Sequence, residues 1–419
     1  MTPPFSYRGG ALHAEDVPLE AIAKEFGTPC YVYSKAALVS AYREISDAFS
    51  SIGHLTCYAV KANPNIGVLN LFAKMGSGFD IVSLGELQRV LLAGGDPSKV
   101  VFSGVGKRED EMRAALDAGI FCFNIESEPE LDRLARVAQA MNRKARISFR
   151  VNPNVDAKTH PYISTGLRQN KFGIPYDDAL RLYEKAEGLE SIEISGIDCH
   201  IGSQLTELSP IVEALEKILI LVDTLEERGI TLSHIDMGGG VGIRYSDEQP
   251  PEMAEYAKSL ITKLAGRPLK LILEPGRFLV GNAGILLTRI EYLKHGEEKN
   301  FAVVDCAMND LMRPALYDAY HEIVQVNAGQ GKDVYEIVGP VCETGDFLGH
   351  GRTLGAKEGD LLAILSAGAY GMSMSSNYNS RPRAAEILVD KGDCHVLRER
   401  ETLASLTEFE RLIPDAAQS

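Results

Sequence analysis

The sequence lacks tryptophan, low-complexity tracts and blocks of like charge. It also lacks any apolar run of about 18 residues, the length that a membrane-spanning helix needs. Its first ten residues, MTPPFSYRGG, contain no apolar segment of the kind found in signal peptides. We therefore expect a cytoplasmic protein with no membrane partner.

Cysteine is present but is not arranged in pairs. The seven cysteines are odd in number, include no C-x-x-C motif, and several lie inside apolar runs typical of strands. This pattern is typical of reduced thiols and argues against a disulfide framework or a zinc site. We expect no metal.

Basic side chains are fewer than acidic ones. Forty-three lysines and arginines against 58 aspartates and glutamates give a formal net charge of -15. Such a charge favours solubility and argues against nucleic acid or an anionic membrane as the main partner. The 419 residues, 45% of them hydrophobic, suffice for two domains or for one large barrel with an appendage.

Short apolar runs alternate with amphipathic segments between residues 54 and 276. One amphipathic segment, LSPIVEALEKILILVDTLEERG, has an apolar face with helical spacing, formed by Ile211, Leu215, Ile218, Leu219, Val222 and Leu225. Glycines follow five such segments, where left-handed C-caps are expected, at Gly94, Gly119, Gly188, Gly229 and Gly266. The eight apolar runs are predicted strands at 54–60, 78–83, 99–104, 121–126, 145–152, 193–202, 232–240 and 270–276.

Eight strand–helix units over about 220 residues predict an α/β fold, a parallel (β/α)8 TIM-like barrel, with an open doubly wound sheet as the alternative. The barrel is favoured because the predicted strands number eight, as a (β/α)8 barrel requires. Polar residues also follow the strand ends, where barrel enzymes have their active sites. These residues are Lys61, Ser83, Ser103, Glu126, Arg150, His200, Gly238 to Gly240 and Glu274.

A second, all-β domain is predicted after residue 285, where short β-rich runs and turn signals replace the earlier period. The N-terminal segment with FGTPCYVY is expected to add a strand to it, and a helix over 34–51 to lead into the barrel. The predicted domains are therefore 36–284, and 1–35 together with 285–419. Residues 153–175, with Lys158, His160 and Tyr162, form either a mobile lid or a static surface excursion.

Four features near the strand ends carry chemistry. Lys61 follows an apolar strand, MGGGVG follows the seventh strand, HIGSQ the sixth, and Glu274 to Arg277 the eighth. Taken singly, three of them have a plainer explanation: a steric glycine turn, a core histidine and a surface ion pair.

Taken together, the four features suit pyridoxal phosphate. This cofactor needs an amine, a phosphate site, a partner for its ring nitrogen and a flat group over its ring. Lys61 would supply the amine, made neutral by desolvation. Glu274 would keep the ring nitrogen protonated, which makes the ring the strong electron sink that loss of CO2 requires.

The sequence resembles the diaminopimelate decarboxylases, in the alanine-racemase-like class (fold type III) of pyridoxal phosphate enzymes that includes ornithine decarboxylase. The resemblance covers nearly the whole chain. It rests on YAVKAN (58–63), FDIVSLGEL (79–87), HIGSQ (200–204), GGG (238–240), EPGR (274–277), MNDLMRPALY (308–317), CETGD (342–346), AGAYG (367–371) and YNSRPR (378–383).

The resemblance implies a role for each matching residue. Lys61 would hold the cofactor covalently, His200 would stack on its ring, and Glu274 would face the ring nitrogen. Cys342 would be the acid that returns a proton to Cα, acting across the interface of a homodimer. The remaining cofactor contacts would be Ser203, Gly238, Gly239, Gly240, Gly276, Arg277 and Tyr370, and the substrate contacts Arg277, Arg313, Tyr317, Glu343 and Tyr370.

The charges of the predicted pocket residues then narrow the choice of substrate. Arginines at the distal end of the pocket would repel ornithine, lysine or arginine, whose distal group is a cation. Arg313 with Glu343 suits the zwitterionic end of meso-diaminopimelate, because a guanidinium binds a carboxylate in bidentate fashion. We expect decarboxylation of meso-diaminopimelate to L-lysine and CO2, the last step of lysine biosynthesis by that pathway.

Other functions stay open at this point. A same-fold decarboxylase of a basic amino acid would need Arg313 to point away from the pocket, and a racemase is disfavoured by Glu274. A catalytically silent relative would usually have lost Lys61 or Cys342. A cofactor-free Schiff-base aldolase would not need both the glycine loop and Glu274.

Overall fold

The structure is a computed structural model that describes residues 3–156 and 171–413. Lys158, His160 and Tyr162 lie outside these residues, so the lid stays a prediction. The described chain divides into two compact units: one from Met1–Lys35, Gly284–Ala367 and Met374–Ser419, the other from Ala36–Ala283 and Gly368–Ser373. The sequence assigned residues 368–373 to the β domain. The structure groups them with the barrel, because the Tyr370 N–H donates to the Ala62 carbonyl (2.8 Å).

The N-terminal elements belong to the first unit. A cis peptide bond joins Thr28 to Pro29, directly before the fourth strand. The elements are β1 (Phe5–Arg8), β2 (Ala11–Ala14), β3 (Val17–Pro18), α1 (Leu19–Phe26) and β4 (Cys30–Ser34).

Eight parallel strands close into the predicted barrel. Each strand pairs in parallel with its neighbours in chain order, and the last strand pairs with the first through Leu271 and His54. Closure excludes the open sheet. The barrel strands are β5 (His54–Ala59), β6 (Gly78–Ile81), β7 (Val100–Phe102), β8 (Cys122–Ile125), β9 (Ala145–Asn152), β11 (Ile192–Asp198), β12 (His234–Asp236) and β13 (Lys270–Leu273), and a short β10 (Ile174–Pro175) extends the sheet beside β9.

Helices follow the barrel strands and bury their apolar faces. The predicted face of α8 is buried at all six positions. Four of the five predicted glycine caps have positive φ, but Gly188 has φ -75° and ends α7 in right-handed geometry. The helices are α2 (Lys35–Ala48), α3 (Ile66–Lys74), α4 (Leu84–Leu92), α5 (Glu109–Ala118), α6 (Glu128–Ala140), α7 (Tyr176–Glu187), α8 (Ser209–Glu227), α9 (Met253–Leu264) and α10 (Arg277–Val280).

One end of the barrel interior is closed by apolar side chains. Leu55, Cys57, Val101, Cys122 and Ile272 form a buried cluster near the strand starts. The polar residues lie toward the strand ends, as predicted, except that Arg150 is inside β9. The chemistry-bearing end is therefore the carboxyl end of the strands.

The first unit is built on a mixed sheet with the order β18-β17-β15-β14-β4-β20-β21. The N-terminal β4 lies between β14 and β20, which confirms that the N-terminal segment adds a strand to this sheet. The β-rich runs predicted from the sequence, at 301–309, 321–327, 334–342, 357–365 and 384–390, do not include β14, β18 or β21. The elements are β14 (Gly284–Lys294), β15 (Asn300–Val304), α11 (Arg313–Tyr317), β16 (Ile323–Gln325), β17 (Asp333–Val338), β18 (Phe347–Leu354), β19 (Leu361–Ile364), β20 (Ala385–Asp390), β21 (Asp393–Arg398) and α12 (Leu403–Leu406).

All seven cysteines are free thiols, as the sequence predicted, and Cys342 is exposed. Among the described residues, no helix is both long enough and apolar enough to cross a membrane.

Candidate active site

Lys61 stands at the end of the first barrel strand. β5 ends at Ala59, and a 3-10 turn, Val60–Ala62, carries the lysine away from it. The Lys61 Nζ lies 2.5 Å from Oδ2 of Asp80, a fully buried residue of β6, while 39% of the lysine side chain is exposed. A buried carboxylate thus holds an amine that is still accessible.

The charges around Lys61 correct one expectation. Burial lowers the pKa of Lys61, but the carboxylates of Asp80 and Glu274 outweigh this effect and raise the pKa above its ordinary value. The amine is therefore a cation in the chain without ligand, and it is not made neutral by desolvation. It needs a base to take its proton before it can react, and Asp80 is in contact with it.

The three glycines after β12 are required by close contacts. A Cβ at Gly238 would lie 2.4 Å from Nδ1 of His200. One at Gly239 would lie 2.2 Å from the Glu274 carbonyl oxygen, and one at Gly240 would lie 2.3 Å from a carbonyl oxygen in the loop after β11. The loop therefore packs directly on two of the predicted site residues.

Two of the three glycine amides already have partners. The Gly238 N–H donates to Oδ1 of Asp236 (2.8 Å), and the Gly239 N–H donates to Nδ1 of His200 (3.1 Å). Within the described ranges, the Gly240 amide makes no hydrogen bond. The loop thus offers an anion fewer donors than three consecutive glycines suggested.

His200 is a neutral ring. Burial, followed by the positive charges of Arg150 and Lys61, holds the pKa of His200 well below its ordinary value. Because Nδ1 accepts the Gly239 N–H, the ring proton is on Nε2. A neutral, flat imidazole at this place is suited to covering an aromatic ligand.

Glu274 belongs to a group of three buried carboxyls. Oxygens of Asp198, Asp236 and Glu274 lie within 4.8 Å of one another at the ends of β11, β12 and β13. Burial, followed by the charge of Asp236, raises the pKa of Glu274 well above its ordinary value, and burial raises the pKa of Asp236 to about 6. One proton between these two carboxyls relieves their repulsion.

Arg277 is held by hydroxyl groups. Its Nη1 donates to the Tyr245 hydroxyl (2.6 Å) and its Nη2 to Oγ of Ser203 (3.0 Å). The guanidinium carbon lies 4.9 Å from the centre of the Tyr370 ring. Tyr370 has a φ of 55°, and its N–H donates to the 3-10 turn that carries Lys61. Arg277, Ser203 and Tyr370 therefore form one side of the site.

Arg313 lies in the other unit, at the start of α11, and is buried. Its Nη1 lies 2.8 Å from Nε2 of His321, whose Nδ1 lies 2.8 Å from the Leu365 carbonyl. These contacts assign the ring proton to Nδ1, so His321 accepts from the guanidinium and fixes its direction. Tyr317 ends the same short helix.

Cys342 and Glu343 lie on an exposed loop of that unit, between β17 and β18. The Cys342 N–H donates to Oδ1 of Asn379 (3.1 Å), and the Tyr378 hydroxyl donates to the Glu343 carboxylate. An exposed thiol is not the buried small hydrophobe that an apolar run would otherwise suggest.

The structure divides the predicted site residues between the two units. The barrel unit contains Lys61, His200, Ser203, Gly238, Gly239, Gly240, Glu274, Gly276, Arg277 and Tyr370. The other unit contains Arg313, Tyr317, Cys342 and Glu343.

Several residues of the site were missed from the sequence. Asp80 and Asp236 are acidic residues inside apolar strands, and that pattern alone could have identified them, because unpaired buried carboxylates are rare. Tyr245 and His321 carry no such signal. Both lie in irregular segments, and only their contacts with arginines single them out.

The chain is similar to known proteins over nearly its whole length. Residues 35–281 match the family model described as pyridoxal-dependent decarboxylase, pyridoxal binding domain. A diaminopimelate decarboxylase of Pseudomonas aeruginosa is 58% identical over 411 residues, which cover 98% of this chain and 99% of the relative. One of Neisseria meningitidis serogroup B is 60% identical over 396 residues, which cover 94% and 95%.

A solved structure is also similar. The diaminopimelate decarboxylase from Helicobacter pylori, complexed with L-lysine, superposes with a TM-score of 0.91 at 42% identity. The alignment covers 94% of this chain and 99% of that one.

Proposed function

The chain belongs to the pyridoxal-dependent decarboxylases, and from this premise we propose that it converts meso-2,6-diaminopimelate to L-lysine and CO2, the last step of lysine biosynthesis. The observation that carries the proposal is Glu274, a buried carboxylate at the same barrel mouth as the reactive lysine. Relatives named diaminopimelate decarboxylase are 58% and 60% identical over nearly the whole chain, and a similar structure contains L-lysine, the product.

The residues of the barrel unit fit pyridoxal 5'-phosphate. Lys61 offers an accessible amine, and the amide of Gly240 is available to a phosphate oxygen. Ser203, Gly276, Arg277 and Tyr370 would complete the binding set. When bound, the cofactor supplies an electron sink for the bond that loses CO2.

The charges of the barrel residues support this assignment. Asp80 would take the proton that the Lys61 ammonium must lose, since the two atoms are 2.5 Å apart. Glu274, within reach of the proton it shares with Asp236, would keep the ring nitrogen protonated. His200, neutral and flat, would cover the ring without adding a competing positive charge.

The distal end of the substrate would be held by positively and negatively charged residues. Arg277, Arg313 and Tyr317 would bind the distal carboxylate, Glu343 the distal ammonium, and Tyr370 would also contact the substrate. His321 keeps the Arg313 guanidinium in one direction, which reduces the entropy lost on binding a carboxylate. Cys342 Sγ would donate the proton to the Cα that has lost CO2.

The proposal includes a homodimer whose active sites are completed across the interface, with Cys342 and Glu343 serving the other subunit. Seven free thiols support a reducing compartment, and therefore the cytoplasm.

The deciding experiment is CO2 release from meso-diaminopimelate by protein loaded with pyridoxal phosphate, with L-ornithine, L-lysine and L-arginine in parallel. We expect turnover of diaminopimelate alone, because only its distal end carries both charges. Preference for another amino acid would overturn the substrate assignment while leaving the cofactor assignment standing. No turnover of any substrate would favour a silent relative.

A further inference from the structure

The loop that carries Cys342 and Glu343 is held from two sides. On one side, Asp346 accepts the N–H of Val341 (2.8 Å) and that of Met308 (2.7 Å). Both contacts lie outside the Cys342–Glu343 dipeptide, so they close the loop but do not orient its functional side chains.

The other side is the segment 376–381, which contacts the dipeptide directly. The Asn379 side-chain oxygen accepts the Cys342 N–H (3.1 Å), and the Tyr378 hydroxyl donates to the Glu343 carboxylate. The hydrogen bond to Glu343 is also the largest cause that raises the pKa of the Tyr378 hydroxyl, which therefore stays a donor. Two residues of the segment, Asn379 and Tyr378, thus hold the two adjacent loop residues Cys342 and Glu343.

The segment itself is firmly anchored. The Asn377 amide donates to the Arg381 carbonyl (3.0 Å) and to Glu401 (2.6 Å), and the Arg381 guanidinium donates to the Asp305 carbonyl (2.6 Å). Asn379 has a φ of 56° and Ser380 a φ of 53°, a left-handed pair that side chains other than glycine seldom adopt. Backbone strain of this kind persists only where surrounding contacts fix it.

We propose that Asn379 and Tyr378 are positioning residues: Asn379 fixes the backbone from which the Cys342 thiol projects, and Tyr378 fixes the direction of the Glu343 carboxylate. The inference rests on the proposed function, because it gives the two residues a purpose through the roles proposed for Cys342 and Glu343. Neither Asn379 nor Tyr378 is a catalytic residue in this account. Each acts through its partner on the loop.

The first test does not depend on activity. Asn379→Gly keeps the freedom to adopt positive φ but removes the acceptor, and Asn379→Asp keeps an oxygen in place. We expect iodoacetamide to alkylate Cys342 about fivefold faster in Asn379→Gly, the equivalent of one net hydrogen bond, and at nearly the original rate in Asn379→Asp. The rate is measured on intact, cofactor-free protein by mass spectrometry of the Cys342 peptide.

The control for this test is Asn142→Gly, which changes another asparagine with positive φ (51°) far along the chain in the barrel unit. It should leave the alkylation rate of Cys342 unchanged. Equal rates in Asn379→Gly and the unmodified protein overturn the proposal. So does an equal acceleration in Asn379→Gly and Asn379→Asp, since it would report a damaged fold and not a lost acceptor.

The second test separates the two residues by kinetics with diaminopimelate. Asn379→Gly should lower kcat about fivefold with little change in KM, because the thiol acts in the chemical step. Tyr378→Phe should raise KM by a similar factor with little change in kcat, because Glu343 binds substrate. Tyr292→Phe, which removes an exposed hydroxyl elsewhere in the same unit, is the control.

The two proposals fail separately. Faster alkylation of Asn379→Gly with unchanged kcat supports the positioning by Asn379 and removes Cys342 from the reaction. An unchanged KM in Tyr378→Phe overturns the role of Tyr378.

Discussion

A lysine that follows a buried strand needs a partner, and Asp80 supplies it from the next strand. Because Asp80 is buried and Lys61 is partly exposed, the ion pair is asymmetric: removing the lysine leaves a buried carboxylate without its contacting cation. In the cofactor-free site the pair therefore stabilises the charged lysine, and a ligand that displaces Asp80 from Lys61 would make its proton easier to lose.

Lys61→Ala should abolish covalent attachment of pyridoxal phosphate, because no other amine is expected to take its place. The measurement is the mass of the intact protein after borohydride reduction. Lys258→Ala, which removes an exposed lysine of the barrel unit, should retain the full mass increase. A mass increase that persists in Lys61→Ala would assign the attachment to another residue.

Asp236 makes the stability of the cofactor-free protein depend on pH. Its pKa of about 6 lies above the value near 4 of an unfolded aspartate, so its stabilising contribution is complete below about pH 4 and is lost as the pH rises through about 6. Asp236→Asn is always neutral and can still accept the Gly238 N–H. We expect the Tm of the unmodified protein to fall relative to that of Asp236→Asn between about pH 4 and pH 7.

Asp247→Asn, on the surface, controls for the loss of one carboxylate. A Tm difference between the unmodified protein and Asp236→Asn that is constant over this range would contradict the shared proton.

The sequence identified Lys61, His200 and Glu274 because residue type and position coincide: each follows a strand end. Asp80, Asp198 and Asp236 are acidic residues inside apolar strands, which is a signal, but the sequence does not say which groups their carboxylates meet. Without an alternating pattern, one sequence does not tell which residues point into the barrel.

At the scale of elements, the glycine loop after β12 packs against residues that follow two other barrel strands. It lies against His200 on one side and the end of β13 on the other, so its shape depends on both. Close contacts require a glycine at each of the three positions, and the predicted binding of phosphate by this loop stays a proposal.

Gly239→Ala tests this directly. The added Cβ would lie 2.2 Å from the Glu274 carbonyl oxygen, so the loop or β13 must shift. We expect a loss of about 1–3 kcal/mol in the free energy of unfolding, as for other overpacked sites, and weaker binding of pyridoxal phosphate. Urea denaturation and a binding titration measure the two effects.

Gly106→Ala is the matched control, since a Cβ there would meet nothing within 4 Å. Equal stabilities for Gly239→Ala and Gly106→Ala would show that the loop can relax around the extra atom.

The strands of the barrel were predictable because apolar runs and helices repeat with one period, so each predicted strand supports the next. The β-rich first unit has no such period. β14 begins three residues after the barrel unit's Gly281, with no turn-rich segment to separate it, and β18 carries His350 and Arg352 among its residues. Gly188 was assigned a left-handed cap that the helix end does not use, because its C-cap is right-handed.

At the scale of the whole molecule, we propose that a second subunit completes each active site. Mixing Lys61→Ala with Cys342→Ala protein, after reversible dissociation, tests this. If Cys342 serves the other subunit, each mixed dimer contains one intact site, and random reassociation should restore about a quarter of the original activity.

As the control, each variant is dissociated and reassociated by itself. It should stay inactive. Mixtures that also stay inactive, although mixed dimers are detected by mass, would place Cys342 and Lys61 of the same subunit in one site.

The position of β4 inside the mixed sheet of the first unit has a consequence for synthesis on the ribosome. Cys30 pairs with Leu287 on one side and with Ala385 on the other, so its later partner is made about 350 residues after it. At bacterial rates of translation, this strand waits roughly 20 to 70 seconds for that partner. The barrel segment, which emerges in between and is almost continuous, can fold during that time. The nascent chain must therefore keep an apolar strand from aggregating until β20 has been made, which makes the N-terminal segment the natural target of a chaperone.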